Sequence, residues 1–164
     1  MKNNTSLYVF RHGETKASKE GRPYGKKNKT AKLLPEGITA IEDLGEYLAT
    51  KQIEQYYTSE YLRCIETSKL VSQFTGLPSL PDSRLNEFVE GSLEVLLTRL
   101  ESFLKDIDTG GTVGICTHGS IITALIYIYQ GLEVREENLY TYPRPGELTI
   151  FTEGQIDIVS FRSD

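Results

Sequence analysis

Cysteine and histidine are both scarce in this sequence: 164 residues contain only Cys64, Cys116, His12 and His118 of these two types. The cysteines lie far apart, and neither has a Cys or His neighbour at zinc-finger spacing. That argues against a metal framework and for two buried free thiols. Long apolar runs are missing too. The longest, residues 121–129, is too short to span a bilayer, and the start MKNNTSLYVF lacks the apolar core of a signal peptide. No membrane association is expected, and a cytoplasmic location follows. There is no low-complexity tract, and with 38% hydrophobic and 25% charged residues a disordered or fibrous chain is excluded. An excess of positive charge is also lacking. The net charge of -5 speaks against general nucleic-acid binding, which needs a basic footprint over a whole face.

What is present fits one domain over residues 1–164, long enough to bury a core without disulfide or metal staples. Positive charge is concentrated locally. Lys16, Lys19, Arg22, Lys26, Lys27, Lys29 and Lys32 crowd one polar segment opposed only by Glu20, and Gly21, Pro23 and Gly25 mark it as a loop. Such a segment is either a solvated surface loop or an attractor of anions at a pocket mouth.

Residues 7–10 form a short apolar run followed at once by a polar, glycine-containing loop, which predicts a buried strand ending at Arg11. Ile38, Ile41, Leu44 and Leu48 have helical spacing within 36–51, and residues 56–58 read as a second strand. Ser59 is placed to cap a helix over 60–74, closed by Gly76 and Pro78. A turn-rich link over 77–84 leads to a helix over 92–107, whose leucines make the cleanest amphipathic stripe in the chain. After Gly110-Gly111 come a β-rich run at 112–117, His118-Gly119, and an apolar helix to Gln130. Residues 147–161 read as a hairpin turning at Glu153-Gly154. This alternation predicts a three-layer α/β/α sandwich with a mainly parallel mixed sheet, in which ligands bind beyond the carboxyl ends of strands.

Both histidines share one context, an apolar strand followed by Arg11-His12-Gly13 or Thr117-His118-Gly119. Two strand ends in one sheet can meet, and placing both histidines this way in a His-poor chain is hard to read as packing. The glycine after each would let the backbone approach a ligand. YVFRHGET at 8–15 resembles the signature of the histidine phosphatase superfamily, the phosphoglycerate mutase-like proteins, and further segments match in order. GRPYG at 21–25 with LLPEG at 33–37, YTSEYLRCIETS at 57–68, RLNEFVEG at 84–91 and ICTHGSII at 115–122 are similar to its later motifs. Arg-His-Gly alone is a weak signal, whereas five ordered segments are a strong one.

The resemblance implies that His12 is a nucleophile, that Arg11, Arg63 and His118 bind the phosphoryl group with it, and that Glu87 is the acid. A neutral imidazole suits attack on a phosphate dianion, and forked guanidinium groups suit the equatorial oxygens on which charge accumulates. Glu87, with a raised pKa, would protonate the leaving alkoxide and then activate water. No metal or organic cofactor is implied. Taken alone, Arg63 could equally be an ordinary surface arginine, and Ser59 reads as a cap rather than a ligand group.

Two departures from the family pattern stand out. Ser18 occupies the place of an asparagine among the phosphate-binding residues and offers no amide donors. The short stretch between Glu87 and His118 leaves no room for the capping insertion that many members carry, which predicts an open pocket. The expected function is therefore hydrolysis of phosphomonoesters, on a phosphorylated small molecule or a phosphoprotein. A phosphoglycerate mutase-type isomerase and a non-catalytic phosphate-binding module are the alternatives.

Overall fold

The computed structural model describes residues 4–88, 91–107 and 110–162, so residues 89–90 of the fourth motif and 1–3 of the opening run lie outside them. Strand β1 (Thr5–Arg11) runs parallel to β4 (Gly111–Thr117), and these two form the centre of a six-stranded sheet. Beyond β4 lie β2 (Gln55–Thr58) and the two-residue β3 (Leu80–Pro81), all parallel. Beyond β1 lies the antiparallel hairpin of β5 (Glu147–Thr152) and β6 (Gln155–Ser160), giving the order β3-β2-β4-β1-β5-β6.

Period-two alternation sends the side chains of the central strands into two separate cores. Leu7 and Val9 of β1 join Val113 and Ile115 of β4 on one face, under helices α4 (Leu93–Ile107) and α5 (Gly119–Tyr129). Phe10 joins Tyr56, Cys116, Leu148 and Ile150 on the other, under α2 (Ile38–Ala49) and α3 (Leu62–Thr75). Helices on both faces make the three-layer α/β/α architecture expected from the sequence. The apolar stripe of α4 includes fully buried Leu100 and Phe103, where truncation to alanine costs about 2–5 kcal/mol.

Two local expectations are corrected. Helix α3 begins at Leu62 with Tyr61 at its cap and no capping side chain, so Ser59 does not cap it; its hydroxyl accepts the Tyr61 N–H at 3.3 Å just ahead of the helix and otherwise bonds to His118 and Asn86. The segment 16–32 is not all loop. Thr15 and Ser18 form a reciprocal capping box that starts the short helix α1 (Lys16–Lys19), and Gly25–Lys27 form a 3-10 turn. Its charge is also less one-sided than the sequence suggests, since Lys16 and Arg22 pair with Glu20 and Lys19 pairs with Glu36.

Candidate active site

The strand ladders continue one residue past β1 and β2. The His12 N–H donates to Thr117 O at 3.0 Å, and the Ser59 N–H donates to Cys116 O at 3.0 Å. Ser59, His118 and His12 therefore stand side by side at the carboxyl ends of β2, β4 and β1. The imidazole centroids of His12 and His118 are 5.4 Å apart. Helices α3 and α5 start here, and their amino ends favour negative charge.

His12 is fully buried. Its Nδ1 lies 2.8 Å from Gly13 O, an acceptor only, so Nδ1 carries the proton and Nε2 presents a lone pair. Nε2 has no hydrogen-bond partner among the described residues, and the same holds for the buried Nε atoms of Arg11 and Arg63. Burial, then Arg63 and Arg11, hold the His12 pKa well below its usual range, so the ring is neutral. The loop after it is fixed by Thr67. Its hydroxyl accepts the Gly13 N–H at 2.9 Å and donates to Arg63 O at 2.7 Å, one helical turn back.

Arg63, which could have been a surface residue, is fully buried, and its Nη2 donates to His118 Nδ1 at 2.9 Å. His118 is held neutral by burial first and then by Arg63 and its other cationic neighbours. Glu87 Oε2 lies 3.5 Å from His118 Nδ1 and 3.6 Å from Arg63 Nη2, while Oε1 accepts from the Ser120 hydroxyl. All five residues expected to carry the chemistry thus converge. Ser18 does not join them: its hydroxyl is 2.9 Å from Thr15 N, which donates to it, and 3.0 Å from Thr15 O, which accepts from it. Capping α1 leaves that hydroxyl committed, so the expected phosphate contact from Ser18 is withdrawn.

The open pocket is also corrected, because two segments cover the site. From the lysine-rich segment, Asn28 accepts two hydrogen bonds from Arg63, and the Tyr24 ring lies 4.0 Å from the Arg63 guanidinium carbon. The Tyr24 hydroxyl is anchored to Thr15 Oγ1 at 2.8 Å. From the segment before β5, Pro143 O accepts from Arg11 Nη1 at 3.1 Å, and the Tyr142 ring lies 4.7 Å from the Arg11 guanidinium carbon. Gly119 makes room for the covering Tyr142, whereas Gly13 lies close against Ile41 and Leu33. A Cβ on Gly119 would come within 2.5 Å of Tyr142, and one on Gly13 within 3.2 Å of Leu33.

Cys64 and Cys116 are buried free thiols, as expected, and burial pushes the Cys64 thiol up, away from reactivity. Among the described residues no group of three His, Cys, Asp or Glu stands close enough to hold a metal ion, and no helix is long and apolar enough to cross a membrane. Tyr24, Asn28, Thr67, Ser120, Tyr142 and Pro143 were not singled out from the sequence. Of these, Tyr24, Thr67 and Ser120 fall inside the motifs GRPYG, YTSEYLRCIETS and ICTHGSII, whereas Asn28, Tyr142 and Pro143 lie outside every motif.

A family model described as the histidine phosphatase superfamily (branch 1) matches residues 7–103. Among solved structures, the alpha-ribazole phosphatase of Shigella flexneri is similar at 20% identity with a TM-score of 0.76, covering 88% of this chain and 89% of that one. Phosphoglycerate mutase from Bacillus anthracis str. Sterne is similar at 21% identity with a TM-score of 0.70, over 96% of this chain and 92% of that one. A mycobacterial glucosyl-3-phosphoglycerate phosphatase, in complex with VO3, is similar at 19% identity with a TM-score of 0.73, over 88% and 90%. These three share the fold. None of the curated proteins matches the chain.

Proposed function

Because the chain belongs to the histidine phosphatase superfamily, we propose that it hydrolyses phosphomonoesters through a covalent phosphohistidine on His12. One observation carries the reading: a neutral, buried imidazole whose Nδ1 is tied to Gly13 O and whose Nε2 lone pair has no hydrogen-bond partner among the described residues, beside two arginines.

In the proposed reaction, His12 Nε2 attacks phosphorus as the bond to the ester oxygen breaks. Arg11, Arg63 and His118 bind the equatorial oxygens as charge grows there. Glu87, in its protonated form, gives its proton to the leaving oxygen. A water oxygen then attacks phosphorus as the P–N bond breaks and its electron pair returns to Nε2, Glu87 takes the water proton, and inorganic phosphate leaves with His12 restored. None of these steps calls on a metal or an organic cofactor. The direct test is a screen of phosphorylated metabolites and phosphoproteins, with released phosphate as the readout. No release from any of them, with an intact fold, would overturn the proposal.

The cover over the site favours a second reading, an isomerase that returns the phosphoryl group to its substrate, because such an enzyme must keep phosphohistidine from water. Yet the covering atoms occupy terminal donors of both arginines, Arg11 Nη1 and Arg63 Nη1 and Nη2, so the cover has to move for a phosphoryl group to take those donors, and water enters as it does. Following 2- and 3-phosphoglycerate and free phosphate in one reaction separates the two readings: isomer exchange outrunning phosphate release identifies the isomerase. The non-catalytic module is disfavoured by Glu87, a carboxylate within 4 Å of both His118 and Arg63 that phosphate binding alone does not need.

A further inference from the structure

Behind His118 the polar atoms form a directed chain through Ser59 Oγ, which also accepts the Tyr61 N–H at 3.3 Å. Arg63 Nη2 donates to His118 Nδ1 at 2.9 Å, so the ring proton sits on Nε2, which is 2.8 Å from Ser59 Oγ. Ser59 Oγ in turn lies 2.8 Å from Asn86 Oδ1. An amide oxygen only accepts, so Ser59 donates there and must accept from His118. Asn86 is oriented by its own bonds: Oδ1 accepts the Glu60 N–H at 2.9 Å, Nδ2 donates to Glu60 Oε2 at 2.9 Å, and Arg99 Nη2 donates to Asn86 O at 2.7 Å. This fixes which end of the amide faces Ser59.

When a phosphoryl group takes the Arg63 donors, His118 can meet it in one of two ways. As a neutral Nδ1–H donor it needs Ser59 to turn round and donate to Nε2, giving up Asn86. As an imidazolium it keeps Nε2–H on Ser59 and adds a proton at Nδ1. We propose that Ser59 and Asn86 are positioning residues that enforce the second course, so that binding of a phosphoryl dianion is coupled to uptake of one proton from solvent at His118 Nδ1. The inference rests on the proposed reading of His118 as a ligand of the phosphoryl oxygens. Facing His118 are Arg11 from β1 and His12 just after it, Arg63 and Cys64 from α3 with Tyr61 before it, Glu87, and Arg99 from α4. Burial first, and then the cations, keep the ring neutral; an arriving dianion offsets the cations.

The probe is tungstate, a dianion with no proton of its own to lose near neutral pH. Two histidines give four ring nitrogens, assigned in 15N spectra with the aid of His12→Gln. Bound tungstate is expected to render His118 doubly protonated in the wild type. Calorimetry in buffers of different ionisation enthalpy should read about one proton taken up, and affinity should fall about tenfold per pH unit where uptake is complete. In Asn86→Ala, Ser59 is free to donate to Nε2, so bound His118 should be neutral with its proton on Nδ1, and uptake should fall towards zero. Ser59→Ala should also lose uptake, and Ser59→Thr should keep it; unchanged amide spectra certify the folds. A neutral His118 in the wild-type complex, or full uptake in both Asn86→Ala and Ser59→Ala, would overturn the inference. None of these readouts needs turnover, so a chain that fails to hydrolyse any phosphomonoester but shows the coupled proton loses the proposed function and keeps this one.

Discussion

Arg63 donates from both terminal nitrogens to Asn28, from Nη1 to the main-chain carbonyl and from Nη2 to the side-chain oxygen at 3.1 Å. Two oxygens on one guanidinium reproduce the bidentate pattern of a phosphoryl group, so a substrate has to displace Asn28 before Arg63 can receive it. Asn28→Ala removes one of the competing acceptors. Phosphate as product inhibitor should bind more tightly by about 1 kcal/mol, roughly fivefold, and KM should fall with kcat less affected. Unchanged inhibition and KM would mean that this hold on Arg63 does not oppose binding.

His12→Ala is expected to abolish turnover, because no neighbouring group can replace the nucleophile. In the wild type, quenched mass spectrometry should find an acid-labile phosphoryl group on His12, and chemical characterisation should place it on Nε2, since Nδ1 is engaged with Gly13. Turnover should survive a strong chelator. Phosphate trapped on another residue, or activity lost in chelator and restored by magnesium or zinc, contradicts the mechanism.

Glu87→Gln should slow esters with poor leaving groups far more than activated aryl esters, because only the former need a proton as the bond breaks. Equal slowing of both would remove Glu87 as the acid. The same substitution should leave the phosphohistidine detectable with aryl substrates.

Both histidines have pKa values depressed by burial and by Arg63. Below about pH 6.5 the unfolded chain takes up protons at these positions that the folded chain does not. Stability should therefore decline as pH falls through that value, by about 1.4 kcal/mol per pH unit for each histidine until its folded pKa is reached. Above it, neither contributes any dependence. Urea unfolding at pH 7.5, 6.5 and 5.5 measures the slope, which His118→Asn should roughly halve. Turnover, for its part, should show no acid limb near pH 6.5 from His12.

The frame of the site was legible because it is written in strand ends. Apolar runs before Arg11-His12 and Thr117-His118 predicted two strands, and parallel pairing of Arg11 with Thr117 brings the histidines together. Arg63 could be placed only through the family resemblance, since its burial depends on Tyr24 and Asn28 from a segment more than thirty residues away. The cover was illegible for the same reason. Composition marked 16–32 as a basic loop, but which of its side chains turn inward follows from tertiary packing, and Tyr142 and Pro143 carried no local signal at all. Ser59 was misread because a serine just before a helix usually caps it, whereas here the helix begins only at Leu62 and the hydroxyl, besides accepting the Tyr61 N–H, is bonded to His118 and Asn86.

The proposed nucleophile and its cover come from different parts of the chain, and this sets where the molecule can change. His12 and His118 hang from the ladder of β1 and β4, where a shift of register would move every core residue. Tyr24, Asn28, Tyr142 and Pro143 sit on connections that tolerate substitution and changes of length. Divergence in what the site admits can thus proceed by drift in two loops while the reaction stays constant, and laboratory evolution aimed at a new substrate has a natural library in residues 20–32 and 140–145.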